Sequence, residues 1–171
     1  MKENLFLIGF MGAGKSTVAK QLAKKMNMTL VEMDQRIVDE QQMSINEIFA
    51  QYGEKHFRDI ESELVVKLGE EGNCIVSCGG GVVVRAENTA NMKQHGKIVY
   101  LTASPETIYQ RVKNGKDRPI LNGHMNVEYI AELMAKRADL YDGAADIKIA
   151  TDGKNIEKIC EEIIAAVCVD G

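Results

Sequence analysis

The sequence has few prolines and no long hydrophobic run. Two prolines among 171 residues exclude proline-rich and collagen-like chains. No apolar run approaches the roughly 20 residues that cross a bilayer, so we expect no membrane association. The apolar stretch near the N-terminus is short and runs into glycines and a lysine, which favours a first strand over a signal peptide. We therefore expect a cytoplasmic protein.

The sequence also lacks an excess of basic residues. Lysine and arginine total 21 against 25 aspartates and glutamates, which gives a net charge of −4. A sequence-independent nucleic-acid binder needs a basic surface, because it must displace counterions from phosphates. The charge balance therefore argues against nucleic acid as a partner, although it leaves room for a small basic pocket.

The cysteines form no metal-binding pattern. None belongs to a CxxC pair, and no histidine stands at zinc-ligand spacing from any of them. Cytosolic thiols normally stay reduced. We therefore expect all four to be small apolar core residues: Cys74, Cys78, Cys160 and Cys168.

The rest of the composition is typical of a globular protein, with 45% hydrophobic and 27% charged residues. The length suits a single domain, 1–171. Short apolar runs predict five strands, at 5–8, 30–31, 74–76, 98–101 and 147–149, and the first has the pattern of a strand buried on both faces. Helical periodicity follows the first, second, fourth and fifth strands, so the sequence predicts an α/β fold, an open parallel sheet covered by helices on both faces.

Local signals place several helix boundaries. Ser44 stands three residues before Glu47 and predicts a capping box. Gly53 predicts the end of that helix, and Ser104 followed by a proline predicts the start of another. Residues 114–126 have no periodicity and the composition of a loop.

The segment Gly9–Ser16 carries the strongest motif. It matches G-x-x-x-x-G-K-[ST], after a predicted strand and at the start of a helix. Lys15 would neutralise the β- and γ-phosphates, and the Ser16 hydroxyl would bind Mg²⁺. The alternative, a glycine-rich turn with an incidental lysine, would arise by chance in under about one such chain in a hundred. We therefore predict that the chain binds ATP or GTP.

The remaining motifs narrow the class of P-loop protein. The DxxG and NKxD patterns of a switch GTPase do not occur, and the third predicted strand ends in Ser77–Gly81 rather than in the acidic residue of a larger ATPase. A short chain with a loop at 114–126 suits a small-molecule kinase with a closing lid. Such a lid keeps water away from the phosphoryl group.

Several motifs occur together in an order that resembles the shikimate kinase family. They are GFMGAGKST at 9–17, EMD at 32–34, Phe57-Arg58 with Glu61, SCGGG at 77–81, Arg118-Pro119 and KRADLY at 136–141. The order and spacing match along nearly the whole chain and weaken after about residue 150. The resemblance implies a P-loop NTPase three-layer sandwich with five parallel strands. It also implies an acceptor-binding segment at about 33–61 and a lid at about 113–126.

The implied activity is phosphorylation of the 3-hydroxyl of shikimate by Mg²⁺-ATP, which gives shikimate 3-phosphate and ADP in chorismate and aromatic amino-acid biosynthesis. By the resemblance, Asp34 would orient the attacking hydroxyl or accept its proton. Arg58 and Arg137 would bind the shikimate carboxylate, because paired guanidinium N–H groups fit a planar carboxylate. The bare backbone of Gly79, Gly80 and Gly81 would lie against the substrate ring.

Each of these assignments has a plain structural alternative. Asp34 could be an aspartate in a surface turn, and the three glycines could form an ordinary strand-to-helix turn. Arg58 could make a surface ion pair with Glu54 or Glu61, and the guanidinium of Arg137 could extend into solvent.

The resemblance also implies the nucleotide site. The P-loop residues would hold the phosphates: Gly12, Ala13, Gly14, Lys15, Ser16 and Thr17. Arg118 resembles a lid arginine that reaches the phosphates, and Arg111 and Lys154 occupy the region that packs on adenine. Ser16 would bind Mg²⁺ directly, with Glu32 and Ser77 acting through water. Glu32 departs from the family, which usually has aspartate at this position.

Two other functions stay open. One is a related P-loop kinase that acts on gluconate or a nucleoside monophosphate, and the other is a nucleotide-binding module without catalysis. Asp34, two arginines and three glycines favour a carboxylated polyol ring as the acceptor. We expect a monomer, because neither a heptad repeat nor a long exposed apolar face appears in the sequence.

Overall fold

The structure, a computed structural model, describes residues 3–113 and 126–169. Its centre is a sheet of five strands, β1 (Asn4–Ile8), β2 (Thr29–Glu32), β3 (Cys74–Ser77), β4 (Gly96–Thr102) and β5 (Ile147–Ala150). The strand order is β2-β3-β1-β4-β5, and every neighbouring pair is parallel. The five predicted strands and their parallel direction are confirmed.

Seven α-helices of the described residues surround the sheet. They are α1 (Lys15–Met26), α2 (Met33–Gln41), α3 (Ile45–Glu71), α4 (Ala86–His95), α5 (Pro105–Val112), α6 (Val127–Ala144) and α7 (Ile156–Val169). The sequence did not predict α2 or α4, nor the short 3₁₀ turn at Val82–Val84. In α4 the fully buried positions are Asn88 and Met92, so the helix has too few apolar residues to show a period.

The predicted helix signals act as expected. The Glu47 N–H donates to Ser44 Oγ at 3.1 Å, and the Ser44 N–H donates to Glu47 Oε1 at 3.3 Å. These two bonds form the capping box at the start of α3. Gly53 breaks α3 with a φ of 84°, but the helix resumes directly after it. Ser104 caps α5, with a proline in its first turn.

Side chains of successive strand residues point to opposite faces, so the sheet supports two separate cores. Leu5 and Leu7 of β1 pack with α1, α5 and α7 on one face. Phe6 and Ile8 pack with α2, α3 and α4 on the other. The result is the three-layer α/β sandwich that was expected. Across 3–113 and 126–169, no helix is both long enough and apolar enough to span a membrane.

Three of the four cysteines are core residues, as predicted. Cys74, Cys78 and Cys160 are buried. The prediction is wrong for Cys168, which is exposed near the end of α7. It lies off the stripe of that helix that Ile159, Cys160 and Ile163 bury against the sheet.

The carboxyl ends of the parallel strands meet at one edge of the sheet, where α/β proteins bind ligands. Residues 9–14 leave the central strand β1 at this edge. On one side of them, β2 leads to Asp34 and β3 leads to Gly79–Gly81. On the other side, β5 leads to the loop 151–155.

Candidate functional site

The loop between β1 and α1 has the geometry of a phosphate cradle. Gly12 and Gly14 have φ values of 78° and 95°, which residues other than glycine rarely adopt. Gly14 is the N-cap of α1, where no side chain accepts a capping hydrogen bond and the first turn holds no acidic residue. The first N–H groups of α1 and the positive end of its dipole can therefore bind an anion.

Lys15 and Ser16 begin α1 beside this cradle. The Lys15 Nζ folds back over the loop and donates to the carbonyl of Gly9 and, at 3.3 Å, to that of Phe10. Ser16 is exposed at the cleft, and so is Thr17 in the same turn. The lysine charge thus lies directly over the loop that is predicted to bind phosphates.

The oxygen groups predicted to serve Mg²⁺ lie close together. Ser16 Oγ is 3.4 Å from Ser77 Oγ, and Ser77 at the end of β3 pairs in register with Glu32 at the end of β2. In the part of the chain that the structure describes, no group of three or more His, Cys, Asp and Glu side chains could hold a metal. A cation here would depend on hydroxyl oxygen, water and nucleotide phosphates. The site fits Mg²⁺, which is commonly bound in this way beside phosphates.

Each of the three consecutive glycines lies against one of the predicted acceptor-site side chains. A Cβ added to Gly79 would lie 2.8 Å from Asp34 Oδ1, and one added to Gly80 would lie 3.6 Å from Arg137 Nη1. A Cβ on Gly81 would overlap both Nη atoms of Arg58. None of the three has a left-handed backbone. Space for the side chains of Asp34 and Arg58, rather than conformational freedom, therefore favours glycine at positions 79 and 81, whereas a Cβ at position 80 would make only an ordinary contact.

Arg58 is buried and held by acidic side chains of its own helix. Its Nη1 donates to Glu61 Oε1 at 2.9 Å, and its Nε lies 3.6 Å from Glu54 Oε1. The ion-pair alternative is thus present, but Glu61 is only 1% exposed, so the pair is not on the surface. The buried Nε has no hydrogen-bond partner among the described residues. A buried guanidinium beside Gly81 can bind a further carboxylate through its remaining N–H groups.

Two carboxyl groups face Gly79 from neighbouring elements. Burial raises the pKa of Asp34, and the charges of Lys15 and Arg58 lower it in part. Asp34 remains accessible from the cleft, although the surrounding protein excludes much of its water. Burial likewise raises the pKa of Glu61 against the opposing effect of Arg58. Asp34 lies in the first turn of α2 and not in a surface turn.

Helix α6 brings a second arginine to the glycines. Arg137 is half-buried, so its head does not extend freely into solvent. The Tyr141 hydroxyl, one turn further along, donates to the Gly80 carbonyl at 2.5 Å. Arg137 Nη1 and the Tyr141 hydroxyl oxygen both lie near Gly80, 3.6 Å and 3.8 Å from where a Cβ would stand. The structure therefore gathers Asp34, the two predicted arginines and the three glycines on one side of the P-loop.

Arg111 lies on the opposite side of the P-loop. Its Nη1 donates to the Gly12 carbonyl at 3.0 Å and to Thr151 Oγ1 at 3.3 Å. Thr151 is buried, and its hydroxyl donates to the carbonyl of Thr102 at 2.8 Å. Arg111 thus connects the P-loop to the loop after β5, at the edge where the base of a nucleotide is expected.

The loop after β5 is held to the start of α5. Asp152 accepts hydrogen bonds from the Ser104 N–H at 2.9 Å and from Thr107 Oγ1 at 2.6 Å. The bond from Thr107, followed by that from Ser104, lowers the pKa of Asp152. Lys154, in the same loop, pairs with Glu162 of α7 at 3.0 Å. Both residues predicted to lie near adenine are therefore at this loop. Arg111 contacts it at Thr151, and Lys154 belongs to it but pairs with α7.

Two site residues were not assigned from the sequence, and one assigned residue is not described. Glu61 was predicted only as a possible surface ion-pair partner of Arg58, and its burial beside Gly79 is what the sequence did not show. Tyr141 looked like a core residue, although a buried tyrosine hydroxyl requires a partner. Arg118 and 114–125 lie outside the described residues, so the roles predicted for Arg118 and the lid stay predictions.

Comparison with known proteins gives a consistent family. The family model for shikimate kinase matches residues 11–168. A shikimate kinase of Geobacter metallireducens is 41% identical over 160 residues, which is 94% of this chain and 89% of the relative. A shikimate kinase of Persephonella marina is 40% identical over 164 residues, 96% of this chain and 98% of the relative. The structure of shikimate kinase from Acinetobacter baumannii in complex with shikimate has a TM-score of 0.92 at 29% identity, over 99% of this chain and 95% of that one.

Proposed function

The chain belongs to the shikimate kinase family, and from this premise we propose which of its residues phosphorylate shikimate with ATP. The chain is a kinase that transfers a phosphoryl group from ATP to shikimate. The observation that supports the residue assignment is the packing of Gly79, Gly80 and Gly81 against Asp34, Arg137 and Arg58. This cluster lies beside a P-loop, so acceptor and phosphates share one cleft.

On the acceptor side, Arg58 and Arg137 bind the carboxylate of shikimate, each with a planar set of N–H donors. Asp34 orients the 3-hydroxyl and accepts its proton as the oxygen attacks the γ-phosphorus. The raised pKa of Asp34 makes it a stronger base than a solvated aspartate. The family assignment disfavours gluconate and nucleoside monophosphates as acceptors.

On the nucleotide side, the N–H groups of Gly12–Thr17 and the Lys15 ammonium hold the β- and γ-phosphates. Ser16 would hold Mg²⁺ directly, with Glu32 and Ser77 acting through water. When bound, Mg²⁺ neutralises charge on the phosphates. Arg111 and Lys154 border the adenine, and Arg118 stabilises the transferred group from the lid at 113–126.

We also propose that the chain works as a single domain, 1–171, with 33–61 as the acceptor-binding segment. Every described residue assigned to the reaction comes from one chain, which is consistent with a monomer. ATP as co-substrate and four cysteines without disulfide bonds are consistent with a cytoplasmic enzyme. Release of ADP with shikimate, gluconate or a nucleoside monophosphate as acceptor tests the substrate class. Only shikimate should support turnover, and turnover with another acceptor alone would refute the proposal.

Replacing Arg137 with alanine is expected to raise the KM for shikimate about 10- to 100-fold, because a charged hydrogen bond contributes about 1.5–3 kcal/mol. The KM for ATP should stay within about twofold, since Arg137 is on the acceptor side of the P-loop. Arg137→Lys should recover only part of the loss, because an ammonium has no planar fork. Steady-state kinetics with each substrate varied in turn measure both constants.

The matched control is Lys136→Ala, which removes an exposed cation from the adjacent position of α6 and should change neither KM. Arg58→Ala should likewise raise the KM for shikimate and leave the KM for ATP unchanged. It should also lower the stability of the fold, because Glu61 would be left as a buried carboxylate without its cation. Equal increases in both KM values for Arg137→Ala would contradict the assignment.

A further inference from the structure

Tyr141 lies where three parts of the acceptor site meet. Its ring is 1% exposed and packs against Tyr100, with centroids 5.1 Å apart and an interplanar angle of 31°. Its hydroxyl leaves this apolar setting and donates to the Gly80 carbonyl at 2.5 Å. The ring is thus fixed by the core, and the hydroxyl is fixed at the centre of the three glycines.

Arg137 lies beside the same point of the backbone. A Cβ on Gly80 would be 3.6 Å from Arg137 Nη1 and 3.8 Å from the Tyr141 hydroxyl oxygen. The Gly80 carbonyl can only accept, so the proton of the phenol goes to it. Burial raises the pKa of Tyr141, so this proton is retained across the pH range of an enzyme assay. The hydroxyl therefore holds the backbone of Gly80 at the place where Arg137 approaches it.

We propose that the Tyr141 hydroxyl is a positioning group for the acceptor site: it holds the Gly80 backbone beside Arg137 and so fixes the place at which the guanidinium meets the carboxylate of the acceptor. The inference rests on the proposed function of Arg137. It assigns Tyr141 no contact with the substrate. It predicts that the hydroxyl matters for shikimate binding and that the ring matters for packing.

Tyr141→Phe separates these two roles, because it keeps the ring and removes the hydrogen bond to Gly80. The KM and the calorimetric Kd for shikimate should each rise about five- to tenfold, which corresponds to the loss of one buried hydrogen bond. The KM for ATP should stay within about twofold, because Tyr141 and Gly80 lie on the acceptor side of the P-loop. The melting temperature should change by only a few degrees, because the ring remains packed.

The matched control is Tyr100→Phe, which removes the other phenol of the same aromatic pair and should leave the shikimate constants within about twofold. In an Arg137→Ala background, Tyr141→Phe should raise the Kd for shikimate less than about threefold, because the hydroxyl acts on shikimate binding through the position of Arg137. A purely structural role would instead raise both KM values and give the same factor in both backgrounds.

The outcomes also separate this inference from the proposed function. Tyr141→Phe with an unchanged Kd for shikimate overturns the inference, even if the wild type is fully active. A wild type that binds shikimate but does not phosphorylate it overturns the proposed function and leaves the Kd test of Tyr141 decisive. A wild type that does not bind shikimate overturns both.

Discussion

Substitution of Asp34 by asparagine is expected to lower kcat for shikimate phosphorylation about 10²- to 10⁴-fold, the range for loss of a positioned general base. Asparagine keeps the shape of the side chain beside Gly79 but cannot take the proton of the attacking hydroxyl. The KM for ATP should change little, because Asp34 is on the acceptor side. Asp39→Asn, an exposed aspartate of the same helix, is the matched control and should retain wild-type kcat.

The pH profile gives this prediction a second readout. Asp34 must be ionised to act as a base, and burial raises its pKa above the ordinary value. Activity should therefore fall with decreasing pH at a higher pH than an ordinary aspartate would cause. In Asp34→Asn this acidic limb should disappear or move to lower pH, since the Asp34 charge also raises the pKa of Glu61. An unchanged kcat and an unchanged profile would rule out the proposed role of Asp34.

Substitution of Lys15 by methionine should lower kcat about 10²- to 10³-fold, as expected when a preorganised group that stabilises developing charge is removed. Lys15 places its ammonium over the P-loop, where it neutralises the phosphates as the phosphoryl group moves. Methionine keeps the length and apolar stem of the side chain. Lys20→Met, an exposed lysine on the same helix, should retain full activity.

Lys15 is also connected to the acceptor side, because its charge lowers the pKa of Asp34. Removing that charge should raise the Asp34 pKa further. The residual activity of Lys15→Met should therefore be lost at a higher pH than that of the wild type. If Lys15→Met kept more than about a tenth of the wild-type kcat, the P-loop lysine would not stabilise the transferred group as proposed.

The sequence was informative wherever one local pattern determined the structure. Strands β1 and β3 are apolar runs buried on both faces, and that pattern is visible without knowing their neighbours. The P-loop depends on glycines and a lysine at fixed spacing, and the capping box of α3 depends on two residues three positions apart. Helix α4 was missed because Asn88, a polar residue, occupies one of its two fully buried positions.

The acceptor site could be predicted only in part, because its contacts join distant parts of the chain. The family resemblance identified Asp34 and the three glycines, but only the fold shows that Gly79 makes room for Asp34 and Gly81 for Arg58. Tyr141 has the spacing of a core residue, and nothing near it in sequence indicates that its hydroxyl reaches Gly80. Burial of Asp34, which sets its pKa, likewise depends on tertiary packing.

The most direct test of the central claim measures the products of purified protein with ATP, Mg²⁺ and shikimate. Mass spectrometry of the acceptor and a coupled assay for ADP should show one phosphorylated shikimate for each ADP released. Wild-type protein should give both products, and Asp34→Asn should lose both together. ADP release without phosphorylated shikimate, or no shikimate-dependent turnover in folded protein that binds ATP, would contradict the assignment of this cleft to shikimate phosphorylation.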